Sequence, residues 1–184
     1  MKAALLAFAA LGLAGQTQPA PPSTPGGLPL DSKDHQPLLL GPATAKAILD
    51  HRPAFRENLG RVKLPSALLA RWQAIRQPFT LVAVFGSWCG DSRDYLPGLL
   101  ALDAEPNPFI EVHYLGVNRD KVLADALWPQ GCAPRQIYKV PAFYLYAPQP
   151  GGAMKLVGTV LEEPPRPKQT MAEALVEMVE TALH

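Results

Sequence analysis

Some segments of this chain repeat apolar positions at the helical period of about 3.6 residues and others at the strand period of two, and together they predict an α/β fold. A short apolar run over 79–85, rich in Val and Phe, is typical of a buried strand. Alternation over 109–117 predicts a second strand, and two further strands joined as a hairpin are predicted over 142–146 and 155–161. Apolar residues at helical spacing predict helices over the following ranges: 42–50, 65–75, 91–102 and 170–183.

The order of these elements predicts the topology. A strand, a helix and a second strand form a βαβ unit, which is followed by a short helix ending near Trp128 and an irregular loop over 129–139. The hairpin and a C-terminal amphipathic helix complete the chain. We therefore expect a three-layer α/β sandwich, in which a central mixed sheet carries helices on both faces and a helical extension precedes it.

The first residues have the layout of an export signal. Lys2 is followed by an apolar run to Ala14, which ends in small residues, so residues 1–15 are predicted to be a signal peptide. Residues 16–37, rich in Pro and Gly, are predicted to be a flexible linker, and residues 38–184 a single domain. The pattern predicts a periplasmic or extracellular protein. No later segment reaches the roughly 20 apolar residues of a membrane span, so we expect no stable membrane insertion after cleavage.

Charge and cysteine content narrow the function classes. Basic and acidic residues number 17 and 16 and are scattered, so no nucleic-acid partner is expected. Two cysteines are too few for a disulfide scaffold, and a domain of this size buries a core without one. Each cysteine therefore needs its own explanation.

A short motif at the end of the first buried strand carries the chemistry. The string from Trp88 to Ser92 reads Trp-Cys-Gly-Asp-Ser, and Pro97 and Val140-Pro141 follow. Over residues 79–183 this pattern resembles the thioredoxin superfamily. In that family a Trp precedes a nucleophilic Cys, the Cys opens a helix that a Pro kinks eight residues later, and a cis-Pro before a strand faces the Cys. The Cys in that position is Cys89.

The resemblance implies thiol–disulfide exchange. A cysteine at a helix N-terminus meets unsatisfied backbone N–H groups, which favour the reactive thiolate. In the family fold a cis-Pro exposes the preceding backbone, so that a substrate peptide pairs with it. We accordingly assign Cys89, Ser92 and Cys132 to the catalytic set, and Trp88, Gly90, Asp91, Val140 and Pro141 to the substrate-binding set.

Two departures from the family pattern change the expected reaction. Ser92 replaces the usual second cysteine of the motif, so the motif itself cannot close a disulfide. Ala83 stands where family members often carry a buried carboxylate for proton transfer. A single cysteine still attacks a disulfide and forms a mixed disulfide that another thiol resolves. We therefore expect monothiol exchange or isomerisation rather than general reduction.

Cys132 leaves three alternatives open. It lies in the loop before Pro141, which in the family fold approaches the active site, and so it is a candidate resolving thiol. A stable Cys89–Cys132 disulfide in an oxidising compartment would close a loop of about 43 residues and stabilise the fold by roughly 2–4 kcal/mol. The third alternative is two separate thiols.

The expected partners are proteins or low-molecular-weight molecules that carry thiols and disulfides, with no cofactor. A metal site built from Cys89, Cys132, Asp91 and His113 lacks compact ligand spacing and is not predicted. The alternative class is a non-catalytic binding module that grips extended partner segments at the same groove. Oligomeric state does not follow from the sequence.

Overall fold

A five-stranded mixed sheet forms the centre of the computed structural model, which describes residues 27–184. The predicted signal peptide and the first part of the predicted linker lie outside the described residues. The strand order is β1-β3-β2-β4-β5; β2 runs parallel to β3, and the other neighbours pair antiparallel. The strands are β1 (Gly41–Ala43), β2 (Phe79–Phe85), β3 (Ile110–Gly116), β4 (Ala142–Pro148) and β5 (Met154–Leu161).

Three short helices lie between β1 and β2, and two longer ones follow. The α-helices are α1 (Ala45–His51), α2 (Pro53–Leu59), α3 (Ser66–Ala74), α4 (Gly90–Asp103) and α5 (Met171–Thr181). The Thr170 hydroxyl and the Glu173 carboxylate form a capping box at the start of α5, which satisfies two backbone donors. Pro97 lies inside α4, as predicted.

The two faces of the sheet are covered differently. Alternate residues of β2, such as Leu81 and Ala83, pack into a cluster that contains the buried side chains of all five α-helices. Val82 and Val84 face the other way, into a smaller cluster with Trp128 and Ile137. That second face is covered by the connection from β3 to β4, which contains only a 3₁₀ turn (Asp125–Leu127) among its described residues.

The prediction of helices on both faces is therefore wrong for the second face. The connection between β3 and β4 contains Pro129 and Pro134, which lack the N–H that a helix interior needs. Gly131 between them adopts φ +80°, which also breaks helical geometry. The short helix predicted to end near Trp128 is the 3₁₀ turn, and the stretch over 129–139 is irregular as predicted, so this connection covers the sheet with the buried Trp128 and without an α-helix.

The first predicted helix begins later than expected, because a strand precedes it. Gly41 pairs with Gly116 at the edge of the sheet, and Thr44 then caps α1 by accepting a hydrogen bond from the Ala47 N–H at 3.1 Å. A side chain at Gly116 would place its Cβ 2.0 Å from the Leu39 carbonyl oxygen. The close pairing of β1 with β3 thus depends on a glycine.

The ordered domain begins earlier than the predicted boundary at residue 38. The Leu38 N–H donates to the Pro29 carbonyl at 2.7 Å, and Leu30 forms a bridge with Pro37. Asp31 is 1% exposed, and its backbone N–H donates to Gln36. The last part of the predicted flexible linker is therefore a folded turn that packs on the domain.

The helices of residues 27–184 are all too short or too polar to cross a membrane.

Candidate functional site

Cys89 lies where a buried strand passes into a helix. All seven residues of β2 are buried, and the Cys89 N–H turns back to donate to the Gly86 carbonyl at 2.9 Å. Cys89 is the N-cap residue of α4, and its carbonyl accepts from the Arg93 N–H at 3.2 Å. Its side chain is partly exposed. The thiol is therefore fixed by the backbone and open to solvent.

Val140 and Pro141 meet this thiol from the neighbouring strand. The peptide bond between them is cis, and the Cys89 Sγ donates to the Val140 carbonyl oxygen at 3.4 Å. Sheet register explains the contact, because Val84 near the end of β2 pairs with Ala142 at the start of β4. The chain just after β2 must then lie beside the chain just before β4.

Ser92 supports the turn rather than the thiol. Its side chain is fully buried, and its hydroxyl oxygen accepts a hydrogen bond from the Gly86 N–H at 3.1 Å. This contact ties the first turn of α4 to the end of β2. No Ser92–Cys89 hydrogen bond occurs among the described residues; the Ser92 side chain contacts the turn that carries Cys89.

Gly90 and Asp91 are exposed at the start of α4, where Asp91 is the acidic residue of the first turn. Lys139 and Glu162 form an ion pair at 2.5 Å close to Pro141, since the Glu162 N–H donates to the Pro141 carbonyl at 2.7 Å. The hydrogen bond that Lys139 donates to the Glu162 carboxylate raises the pKa of Lys139. Charged side chains of both signs therefore lie near Pro141, and Asp91 is close enough to Lys139 to raise its pKa as well.

Trp88 is held by contacts on two sides. Its indole Nε1–H donates to the Val117 carbonyl at 2.9 Å, and the Arg119 guanidinium lies 4.7 Å from the indole ring centre. The Arg119 Nε is in turn 2.9 Å from each carboxylate oxygen of Asp31. The folded turn at the N-terminal side of the domain thus reaches the residue that precedes Cys89.

Sequence reasoning did not identify Arg119 or Asp31. The two residues are separated by 88 positions, and Asp31 fell in the segment predicted to be flexible. One signal was available for Arg119, because the chain after β3 emerges at the same end of the parallel pair as the chain after β2. That position alone would have placed Arg119 near Trp88.

Asp31 is ionised in the fold despite its burial. Burial by itself raises the pKa of this carboxyl, but the hydrogen bond from Arg119 and those from the Lys33 and Asp34 N–H groups outweigh it. The net pKa of Asp31 is therefore lower than its ordinary value. A buried carboxylate with this set of donors needs its guanidinium partner.

The structure does not bring Cys132 to Cys89. Both are free thiols, and Cys132 forms a bridge with Met154, which pairs with Pro148 at the far end of β4. Cys89 contacts the opposite end of that strand, and six strand residues span about 20 Å. A disulfide needs Cα atoms within about 7 Å. The Cys89–Cys132 disulfide and the resolving role of Cys132, two of the three alternatives left open by the sequence, are therefore not supported, for this geometric reason.

Cys132 has the environment of a buried structural thiol. Burial, followed by the charge of Glu111, raises its pKa to about 11. The residue belongs to the second core cluster together with Trp128 and Tyr146. Its thiol is therefore protonated and shielded near neutral pH.

No group of three or more His, Cys, Asp or Glu side chains in residues 27–184 is arranged to hold a metal ion. His113 instead lies 2.9 Å from Glu111 on β3.

Comparisons with known proteins leave the function open. No protein-family model and no curated protein matches the chain. Among solved structures, a protein of unknown function from Pseudomonas aeruginosa is similar at 23% identity and a TM-score of 0.42, over 77% of this chain and 80% of that one. An HIV epitope scaffold is similar at 21% identity and a TM-score of 0.42, over 76% and 79% of the two chains. Any functional conclusion therefore rests on the geometry of the site.

Proposed function

We propose that this chain is an exported thiol–disulfide exchange protein of the thioredoxin superfamily, with Cys89 as its nucleophile. The observation that carries the proposal is the contact between the Cys89 Sγ and the carbonyl of Val140, 3.4 Å away, directly before a cis-proline. The sheet order and the placement of Cys89 between a buried strand and a helix support it. Partial exposure of Cys89 lets a substrate reach the sulfur.

The reaction that fits this site is a monothiol exchange. The Cys89 thiolate attacks one sulfur of a substrate disulfide, a Cys89–substrate disulfide forms, and the other substrate sulfur leaves as a thiolate. A second thiol from the solution or the substrate then attacks the mixed disulfide and restores Cys89. Ser92 cannot supply that thiol, and Cys132 lies at the far end of β4. Substrates are accordingly protein or low-molecular-weight disulfides.

The backbone around Pro141 suits an extended substrate. Pro141 leads into β4, and Glu162 closes the end of β5 against it through a hydrogen bond of 2.7 Å. The partly exposed Trp88 and the exposed Gly90 and Asp91 flank Cys89 along the chain. We assign these residues to substrate contact, with Val140 presenting the backbone that a peptide approaches.

The test compares two single variants under oxidised glutathione. The wild-type protein is expected to form one glutathione adduct, Cys89→Ser none, and Cys132→Ser the same adduct as the wild type, as read by intact mass and peptide mapping. Cys132→Ser is the matched control because it removes the buried thiol and leaves the exposed one. Adduct formation that survives Cys89→Ser would overturn the proposal.

A second candidate is a binding module that retains the fold without the chemistry. Ala83 is fully buried between Tyr114 and Phe143, so the position at which family members often carry a proton-transferring carboxylate has none, and this observation favours the binding module. Under this alternative Cys89→Ala leaves the binding of an extended partner unchanged. Under the exchange proposal the same variant loses covalent capture of the partner.

The location rests on the N-terminal pattern. Fractionation of cells that express the full chain, with sequencing of the mature N-terminus, is expected to find a processed protein outside the cytoplasm. An intact N-terminus in the cytoplasm would remove export from the proposal.

A further inference from the structure

The N-terminal turn contributes to the site through an ion pair and a stacked ring. We infer that Arg119 is a positioning residue for Cys89, which it serves by holding the Trp88 indole with the help of Asp31. The inference rests on the proposed function, because it assigns a role within that same site. It adds two residues that the exchange motif does not contain.

Asp31 fixes where the guanidinium lies. Its Oδ1 accepts the Lys33 N–H at 2.7 Å and the Asp34 N–H at 3.2 Å, so the carboxylate cannot rotate freely within its own turn. The Asp31 side chain has no exposed surface, whereas Arg119 keeps 27% of its own. The Arg119 Nε is 2.9 Å from both carboxylate oxygens. Pairing with a rigid buried acid therefore anchors a side chain that would otherwise be mobile.

Arg119 in turn limits the movement of the Trp88 indole ring. The guanidinium lies over the ring at 4.7 Å, which is within the range of a cation–π contact. The indole N–H is bound to the Val117 carbonyl at 2.9 Å, and a Cβ at Gly86 would lie 2.7 Å from the ring. The ring therefore has a close neighbour on each of these sides.

Movement of this ring is coupled to Cys89 through the backbone. Trp88 lies inside the turn in which the Cys89 N–H donates to the Gly86 carbonyl at 2.9 Å. A ring that leaves Val117 and presses on Gly86 displaces the turn that sets the sulfur beside Val140. Arg119 thus acts on Cys89 through Trp88 and touches no reacting atom.

The experiment compares Arg119→Met with Arg71→Met in the full mature chain. Arg71 forms a similar two-contact ion pair with Glu180, at 2.9 and 2.5 Å, but links α3 to α5 away from Cys89. Two readouts are measured: solvent exchange of the Trp88 indole N–H by NMR, and the rate of Cys89 alkylation by iodoacetamide across a pH series. The Trp72 indole N–H, bound to the Glu105 carbonyl at 2.9 Å, is the internal reference.

Arg119→Met is expected to speed exchange of the Trp88 indole N–H by roughly 2- to 30-fold, the factor that corresponds to a lost cation–π contact. Trp72 exchange stays unchanged, and the pH profile of Cys89 alkylation shifts. Arg71→Met leaves the Trp88 exchange and the Cys89 profile as in the wild type. The inference is overturned if folded Arg119→Met exchanges the Trp88 indole N–H at the wild-type rate. It is also overturned if the pH profile of Cys89 alkylation in that variant equals that of the wild type.

Two features keep the result interpretable. If Arg119→Met does not fold, Arg119→Lys replaces it, because lysine keeps the positive charge opposite Asp31 and lacks the planar contact to Trp88. The same two readouts then test whether Arg119 positions Trp88. Alkylation needs no disulfide substrate, so it is measurable even where the wild type forms no glutathione adduct. Absence of the glutathione adduct counts against the proposed function, whereas an unchanged pH profile of Cys89 alkylation in Arg119→Met counts against the positioning role of Arg119.

Discussion

Replacing Ser92 with alanine removes one hydrogen bond from the turn that carries Cys89. The Ser92 hydroxyl and the Gly86 N–H are both buried and 3.1 Å apart. Alanine leaves the Gly86 N–H buried without its partner, which costs about 1–3 kcal/mol of folding free energy. With a urea m-value near 2 kcal/mol/M, the unfolding midpoint falls by roughly 0.5–1.5 M.

The assay is urea unfolding followed by fluorescence, with Ser66→Ala as the matched control. Ser66 is exposed at the start of α3, so its replacement is expected to stay within about 0.5 kcal/mol of the wild type. Glutathione adduct formation at Cys89 is measured in the same variants. We expect Ser92→Ala to lose stability and still form the adduct. An unchanged midpoint together with loss of the adduct would show that Ser92 acts chemically, and would refute this reasoning.

Three further perturbations test other parts of the fold. Gly116→Ala places a Cβ 2.0 Å from the Leu39 carbonyl oxygen. Because overpacking a site costs about 1–3 kcal/mol or more, this variant is expected to destabilise the domain by at least that amount, as measured by thermal unfolding. Cys132, whose pKa is raised to about 11, is expected to resist alkylation at pH 8 until urea unfolds the chain, whereas Cys89 reacts in the native protein. Equal labelling of the two native thiols would contradict this. The pKa of Asp31 is lower in the folded than in the unfolded protein, so its contribution to stability is full above the unfolded pKa near 4 and is lost as pH falls through the folded pKa. Asp31→Asn is expected to make the free energy of unfolding depend less on pH in that window. An unaltered dependence of stability on acid pH would count against the ion pair.

The elements predicted best from the sequence are those whose conformation is determined by their own residues rather than by pairing with a distant segment. The strand over 79–85 has the predicted bounds, because an apolar run of this length is too short for a typical buried helix and fits a buried strand. Two residues of the strand over 41–43, Pro42 and Ala43, were predicted as helix. Its three residues carry little pattern of their own, and they are extended because Gly41 pairs with Gly116, far along the chain. Pairing of this kind is a tertiary effect that a local window does not contain.

The candidate site divides in the same way. Cys89 and Pro141 were identified from short motifs, and sheet register brings them together. Asp31 was missed because an acid in a Pro-rich segment carries no pattern. Arg119 was missed because its one signal is its place after β3, at the end of the sheet where the chain also leaves β2. The sequence left the pairing of Cys132 with Cys89 open, since distance along the loop before Pro141 says nothing about which end of β4 a residue occupies.

The central claim is that Cys89 alone exchanges disulfides. The most direct test is peptide mass mapping of the mature protein, purified without reductant and equilibrated across a series of glutathione redox ratios. We predict that the fraction of Cys89 bound to glutathione follows the ratio, and that Cys132 stays a free thiol throughout. Cys89 that remains a free thiol at every ratio, or that appears bonded to Cys132, would contradict the account.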